Sequence, residues 1–317
     1  MKNILLTGGA GFIGSTLTEE LLKQGNQVTV IDNFSDFYDT NVKETNILPF
    51  LKNPNFRLIR LDITNLEDLF NKVGKHDVIV HLAAKAGVRP SIDDPIGYEE
   101  VNVKGTINLL EFAKHHNIKQ FVFASSSSVY GTNPEVPWIE DSKIEYIISP
   151  YAGTKRSAEI QGQIYSHLYG IRFIALRLFT VFGPKQRPDL AIHKFAKLIL
   201  RNQPIVLFGN GSTLRDYTFV DDIVGAFITA ISYDQSMYEI INIGNNKPIS
   251  LIDLVRALEE VFEVKAKLVF EEEQPGDVPV TYANIEKAKE LLNYSPKTSV
   301  KEGLLHFKTW IKNNHSQ

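Results

Sequence analysis

The sequence predicts an α/β fold: a doubly wound parallel sheet with a smaller α/β lobe interleaved towards the C-terminus. Three observations carry this. Apolar runs alternate with amphipathic stretches through the first half of the 317 residues. The runs are continuous rather than alternating, as in strands buried on both faces of a parallel sheet. The first run leads straight into a glycine-rich turn that opens a helix.

In order, residues 3–7 (NILLT) read as a strand, Phe12 to Gln24 as a helix, and 27–32 (QVTVID) and 56–63 (FRLIRLDI) as strands. Residues 66–73 (LEDLFNKV) read as a helix, 77–84 (DVIVHLAA) as a strand, and Tyr98 to His115 as a helix. Residues 120–126 (QFVFASS) form the next strand, Tyr151 to Tyr169 a helix, and 172–179 (RFIALRLF) a strand. After about Phe179 the rhythm breaks. Residues 180–191 (TVFGPKQRPDLA) and 207–219 (LFGNGSTLRDYTF) are rich in Gly, Pro and charge, and read as loops around a second, smaller unit. Residues 220–232 and 238–244 read as a helix and a strand that return to the sheet, while Leu251 to Phe262 and 266–272 supply a helix and strand of the small lobe. The expected organisation is a dinucleotide-binding domain at 1–178, with 217–244 returning to it, and a substrate domain at 179–216 and 245–317.

Composition narrows the function. The net charge is -3 and the longest same-sign run is Glu271 to Glu273, which gives no footing for a nucleic acid. No cysteine is present, which excludes disulfides, thiolate metal sites and cysteine nucleophiles, and fits a reducing cytoplasm. The eight histidines lack ligand spacing, so no metal is expected. The apolar run of MKNILLTGG is cut off by glycine, so neither a signal peptide nor a membrane span is expected there.

TGGAGFIGS, from Thr7 to Ser15, spaces Gly8, Gly11 and Gly14 by three, and Gly9, Gly11 and Gly14 satisfy G-x-G-x-x-G. The pattern alone is weak. Its setting is specific: strand before, helix after with Phe12 and Ile13 in its first turn, and Asp32 ending the next strand. Such glycines let backbone N–H groups and a helix N-terminus approach a pyrophosphate. Asp32 would accept from the adenosine ribose hydroxyls and repel the extra phosphate of NADP; Asn33 after it, rather than Arg or Lys, also favours NAD. The plainer alternative is a cluster of turn glycines with an incidental aspartate.

ASSSSVYG (124–131) sets four serines where a buried strand runs out, and SPYAGTKRSAE places Tyr151 and Lys155 on one helix face. An ammonium one turn away would lower the tyrosine's pKa from its usual ~10 and make it a usable base. Both segments should end at the carboxyl edge of the sheet, over the glycine loop, where ligands bind in open α/β sheets.

With TGGAGFIG, LDIT, HLAAKAGV, VNVKGT, SSSSVYG, YAGTK, RDYTFVDD and PGDVP in that order, the chain resembles the extended short-chain dehydrogenase/reductases, and among them the NAD-dependent nucleotide-sugar epimerases. The resemblance covers essentially the whole length. It implies a Rossmann domain, Tyr151 as base, Lys155 orienting the nicotinamide ribose, and Ser126 on the reacting hydroxyl. It places Asp62 and Ile63 at the adenine, with Leu82, Ala83, Ala84 and Lys85 flanking the cofactor and Asn102 and Phe179 completing its site. Related dehydratases resemble Asp-Glu where Ser127 and Ser128 stand, and related decarboxylases carry Glu just before VYG. Without those carboxylates, hydride removal and return is the chemistry left. The 180–191 loop resembles that of UDP-glucuronate 4-epimerases, which implies Thr180, Arg187, Ser127 and Ser128 around a sugar carboxylate. The plainer alternative for Arg187 is a solvated loop cation or a structural partner of Asp189. Arg215 is implied at the UDP phosphates, Asp277 near the nucleotide, and Arg89 at phosphate or sugar. A homodimer through the 98–115 and 151–169 helices is expected. Epimerases of neutral UDP-sugars, UDP-glucuronate decarboxylases and a non-catalytic NAD-binding regulator are the alternatives.

Overall fold

The computed structural model describes residues 1–272 and 278–314. Its strands are β1 (Asn3–Thr7), β2 (Gln27–Asp32), β3 (Phe56–Arg60), β4 (Val78–His81), β5 (Gln120–Ser126), β6 (Arg172–Leu178) and β7 (Thr180–Phe182). They continue with β8 (Pro204–Phe208), β9 (Leu214–Arg215), β10 (Tyr217–Phe219), β11 (Tyr238–Ile243), β12 (Ile249–Ser250) and β13 (Lys267–Glu271). Seven of them form one sheet in the order β11-β6-β5-β4-β1-β2-β3, every pair parallel. The chain starts in the middle, winds outward to β3, then returns to β4 on the other side of β1. Between β1 and β4 the winding reverses, and that switch point opens a crevice at the carboxyl edge. Two-stranded pieces pair β7 with β10, β8 with β13 and β9 with β12.

Alternate side chains of the strands feed two cores, as the pleat requires. Leu5, Ile31, Ile79, Phe121 and Phe123 face one set of helices. Ile4, Leu6, Val30, Val80 and Val122 face the other, in a core continuous with Leu254, Leu258, Phe307 and Ile311 of the C-terminal helices. Among the described residues no helix is long and apolar enough to cross a membrane.

Two strands end before their apolar runs do. β3 pairs only with β2, whose last partner is Asp32 opposite Arg60, so Leu61 to Ile63 leave the ladder. β4 stops at His81, opposite the last residue of β1, so Leu82 to Ala84 leave it too. Both released segments enter the crevice. The helix expected over 98–115 divides into Pro95–Tyr98, a wide π-helical stretch Glu99–Lys104, and Gly105–His115. Helix Pro150–Tyr169 is sharply bounded: Ser149 Oγ accepts from Ala152 N, Pro150 fills the first position, and Gly170 closes it at φ 62°.

Candidate active site

The crevice runs from the glycine loop to the serines. At its glycine-loop end, Gly8 has φ +73°, and a Cβ there would lie 2.7 Å from Ala83 N. A Cβ on Gly14 would strike the Gly8 carbonyl oxygen. Only glycine lets the loop fold this tightly against the opening of helix Phe12–Lys23, whose Gly11 cap supplies no side-chain acceptor. The first-turn N–H groups are left for a ligand's oxygens, and Phe12 and Ile13 line the cleft with them. Asp32 is buried, its two oxygens accepting from Ala10 N (3.1 Å) and Phe34 N (2.9 Å). Asp62 accepts from Asn33 Nδ2 (2.8 Å) and from both Thr64 N (2.9 Å) and Thr64 Oγ1 (2.7 Å). Burial alone would raise its pKa, but these bonds outweigh that and hold the carboxyl below its usual range. Ile63, Leu82, Ala83, Ala84 and Lys85 also line this wall.

Asn102 departs from expectation. Its Oδ1 accepts from Lys85 N (2.8 Å), and its Nδ2 donates to Lys85 O (2.9 Å) and Thr154 Oγ1 (3.0 Å). It therefore splints the Lys85 backbone from behind the wall, reached from the π-helical stretch, and is not among the cleft-lining residues.

The four serines divide their work. Ser125 Oγ turns inward and donates to Glu159 Oε1 (2.6 Å). Ser126 Oγ accepts from Ser128 N (3.2 Å), lies 3.1 Å from Ser128 Oγ, and lines the cleft together with Tyr151. Ser127 and Ser128 face the cleft beside Phe179, Thr180 and Arg187. Lys155 is buried, its Nζ donating to Ala124 O (2.7 Å) and standing 6.0 Å from the Tyr151 ring centre. Burial lowers the Lys155 ammonium to about 7. Burial also raises Tyr151, with the Ser126 hydroxyl and the Arg187 charge pulling the other way. The lowering of Tyr151 by Lys155 expected from their spacing is thus not what dominates: the amine is turned onto a backbone carbonyl, and desolvation decides the direction.

The remaining predicted contacts scatter. Arg187 lines the cleft but is ion-paired with Asp189 through Nη2 (2.8 Å) and Nε (3.1 Å), and its guanidinium lies over Phe37. Arg215, on β9, donates to Leu214 O (2.9 Å), and Arg89 lies over the Phe208 ring. Neither is among the residues lining this cleft. Asp277 lies outside the described residues.

Residues 4–244 match the NAD dependent epimerase/dehydratase family. The chain belongs to that family. It is 42% identical over 318 residues to a UDP-glucuronate 4-epimerase of Thermodesulfobacterium geofontis, covering 99% of this chain and 97% of the relative. Its fold matches the crystal structure of a UDP-glucuronic acid 4-epimerase from Bacillus cereus in complex with UDP-glucuronic acid and NAD, at TM-score 0.92 and 38% identity, covering 99% and 100% of the two chains. A UDP-N-acetylglucosamine 4-epimerase from Methanobrevibacter ruminantium, in complex with UDP-N-acetylmuramic acid, matches at TM-score 0.89 and 32% identity, with 99% of both chains covered. Backbone shape within the epimerase/dehydratase family therefore does not choose the sugar; side chains must.

Behind the epimerase cleft lies a buried polar cluster that the sequence reading missed. Arg177 on β6 and Glu159 on helix Pro150–Tyr169 form a bidentate pair (Nε–Oε1 and Nη2–Oε2, both 2.9 Å), with side chains 1% and 0% exposed. Arg156 Nη1 adds a bond to Glu159 Oε2 (2.9 Å), and Arg177 Nη1 donates to Tyr130 Oη (2.9 Å), which donates to Asn242 Oδ1 (2.8 Å) on β11. With Ser125, this cluster ties the serine strand to the Tyr151 helix. Its signal was Arg177, a second arginine placed among the apolar residues of the strand RFIALRL that Arg172 begins. Ser35, Tyr38 and Lys43 also line the nucleotide end and were not foreseen.

Proposed function

We propose that the chain is a UDP-glucuronate 4-epimerase, interconverting UDP-glucuronate and UDP-galacturonate by transient oxidation at C4 with tightly held NAD. One observation carries the reading. At the sugar end, Tyr151 and Ser126 line the cleft among further hydroxyls and one guanidinium, and no carboxylate lines that end among the described residues. Asp32 and Asp62 both belong to the nucleotide end. Elimination of water would need a second acid or base beside C4; removal and return of a hydride needs one proton acceptor and no net redox.

Bound NAD would accept the C4 hydride and give it back. The chain's own residues supply the rest. Tyr151 takes the C4 hydroxyl proton as the phenolate, the form it must reach against the burial that raises its pKa, Ser126 holds that hydroxyl in reach, and Lys155 has donors to spare beyond Ala124 for the nicotinamide ribose. The glycine loop receives the pyrophosphate, and Asp32 the adenosine ribose. Arg187, Thr180, Ser127 and Ser128 would hold the C6 carboxylate, the guanidinium exchanging Asp189 for substrate. That grip has a second use. A 4-keto uronic acid is a β-keto acid that readily loses carbon dioxide, and holding its carboxylate in the plane of the ketone slows the loss.

The Arg187–Asp189 pair favours one competing reading, an epimerase of neutral UDP-sugars in which that guanidinium stays where it is. Incubation with UDP-glucuronate and no added reductant tests the choice. UDP-galacturonate should form without NADH accumulating; preference for UDP-glucose would sink the uronate assignment.

Residues 179–216 and 245–317 are assigned to the nucleotide sugar, and 1–178 with 217–244 to the cofactor. A homodimer is supported by the exposed stripe Ile160, Ile164 and Leu168 on helix Pro150–Tyr169. A cytoplasmic site of action is supported by the absence of cysteine.

A further inference from the structure

Lys43 is a buried amine with no task in the chemistry so far. It sits on helix Thr40–Ile47, is 6% exposed, and lines the nucleotide end of the cleft. Its Nζ donates to Ser35 O (2.8 Å) and Ser35 Oγ (3.2 Å) and stands 4.9 Å from the Tyr38 ring centre. An ammonium has three donors, so one remains. Among the described residues no carboxylate bonds it; Asp32 and Asp36 act on it through space, and the Arg187 cation acts against them. A buried cation without a close counter-charge is costly, so the position calls for a compensating ligand.

The ligand on this wall is an adenosine ribose, whose two adjacent hydroxyls each donate and accept. Asp32 can only accept, and each of its oxygens already takes one backbone N–H. It can receive the hydroxyl hydrogens but leaves the hydroxyl oxygens without a donor. We propose that Lys43 is a specificity residue of the cofactor site, donating its free N–H to the adenosine ribose hydroxyls whose hydrogens Asp32 accepts. This rests on NAD as the cofactor. It also means that the wall holds a cation suited to a 2′-phosphate, and that Asp32 is what keeps NADP out.

The test is calorimetric titration of cofactor-stripped protein with NAD, NADP and UDP. Lys43→Met should weaken NAD by at least about tenfold, the loss of one charge-assisted hydrogen bond, while UDP affinity stays unchanged. Asp32→Ala should raise NADP affinity relative to NAD, and adding Lys43→Met to it should cancel that gain. NAD binding within about twofold of wild type in a Lys43→Met protein that still binds UDP would overturn the proposal. Should that variant not fold, Asp32→Ala alone decides. It must still bind NAD several-fold more tightly than an analogue lacking both adenosine hydroxyls, and equal binding overturns the proposal. A wild type that binds UDP but no NAD would instead sink the cofactor assignment, and this inference with it.

Discussion

The two ends of the cleft are built on different terms. The nucleotide end is made by one contiguous strand–loop–helix: β1, the glycine turn and helix Phe12–Lys23, with Asp32 arriving at the tip of the neighbouring strand. Its fitness for a ligand comes from backbone N–H groups and from side chains that are missing. The sugar end is assembled from Ser126 on β5, Tyr151 on a helix, Thr180 on β7 and Arg187 in a loop. Its chemistry depends on where those side chains point, and the elements that carry them, β5 and helix Pro150–Tyr169, are tied together by Ser125, Glu159 and Arg177 from distant parts of the chain. One end is set by backbone geometry within a single contiguous unit; the other is set by side chains brought together from separate elements.

If this contrast holds, substitutions at the sugar end should alter catalysis and substrate choice while leaving the cofactor in place. The largest effect is expected for Tyr151→Phe, which removes only the proton-accepting oxygen. Turnover should fall by about 10²–10⁴-fold with UDP-sugar binding and bound NAD retained. Activity within tenfold of wild type would remove Tyr151 from its role as base.

Next comes the cluster beneath the serines. Glu159→Gln leaves the Arg177 guanidinium buried without its counter-charge and should destabilise the fold by about 3–5 kcal/mol, read by denaturant unfolding. A loss below about 1 kcal/mol would mean that water reaches Arg177 and that the cluster does not hold the sugar end.

Arg187→Ala should lower kcat/KM on UDP-glucuronate by roughly 10- to 150-fold, the cost of one charge-assisted bond, and leave any activity on UDP-glucose much less affected. Equal losses on both would assign Arg187 to its pair with Asp189 instead.

The smallest effect concerns Lys155. Its folded pKa of about 7 lies below that of the unfolded chain, 10.5. Between those values the unfolded state binds more protons, so wild-type stability rises with pH through that window and the burial penalty is felt in full below it. In cofactor-stripped protein, the Tm of Lys155→Met relative to wild type should be higher by a few degrees at about pH 6 than at about pH 9. A pH-independent difference would show that the amine is solvated.

Legibility followed the same divide. The strand over 120–126 and the helix over 251–262 were readable to the residue, because β-branched and aromatic runs or a strong apolar period are local signals. Helix Thr40–Ile47 was not, since TNVKETNI has no apolar stripe; its buried residues include Lys43 and Asn46, which are fixed by Ser35 and Ala10. Helix Val300–Asn314 did carry a signal in Leu304, Phe307 and Ile311, which the sequence reading left unused. Glycine-loop residues, Asp32, Asp62 and the 82–85 segment line the cleft. Asn102 turned out to brace the wall from behind. Arg187 was found with the partner that the plainer alternative named, and no spacing rule says whether a loop cation exchanges that partner for substrate.

The most telling measurement follows a hydrogen. UDP-glucuronate carrying deuterium at C4 should be converted to UDP-galacturonate that keeps the label at C4, with none released to water and no NADH accumulating, because a hydride passed between carbon atoms does not exchange with water. Loss of the label to solvent would mean that C4 is inverted through a carbanion rather than a ketone, and would contradict transient oxidation as the reaction of this site.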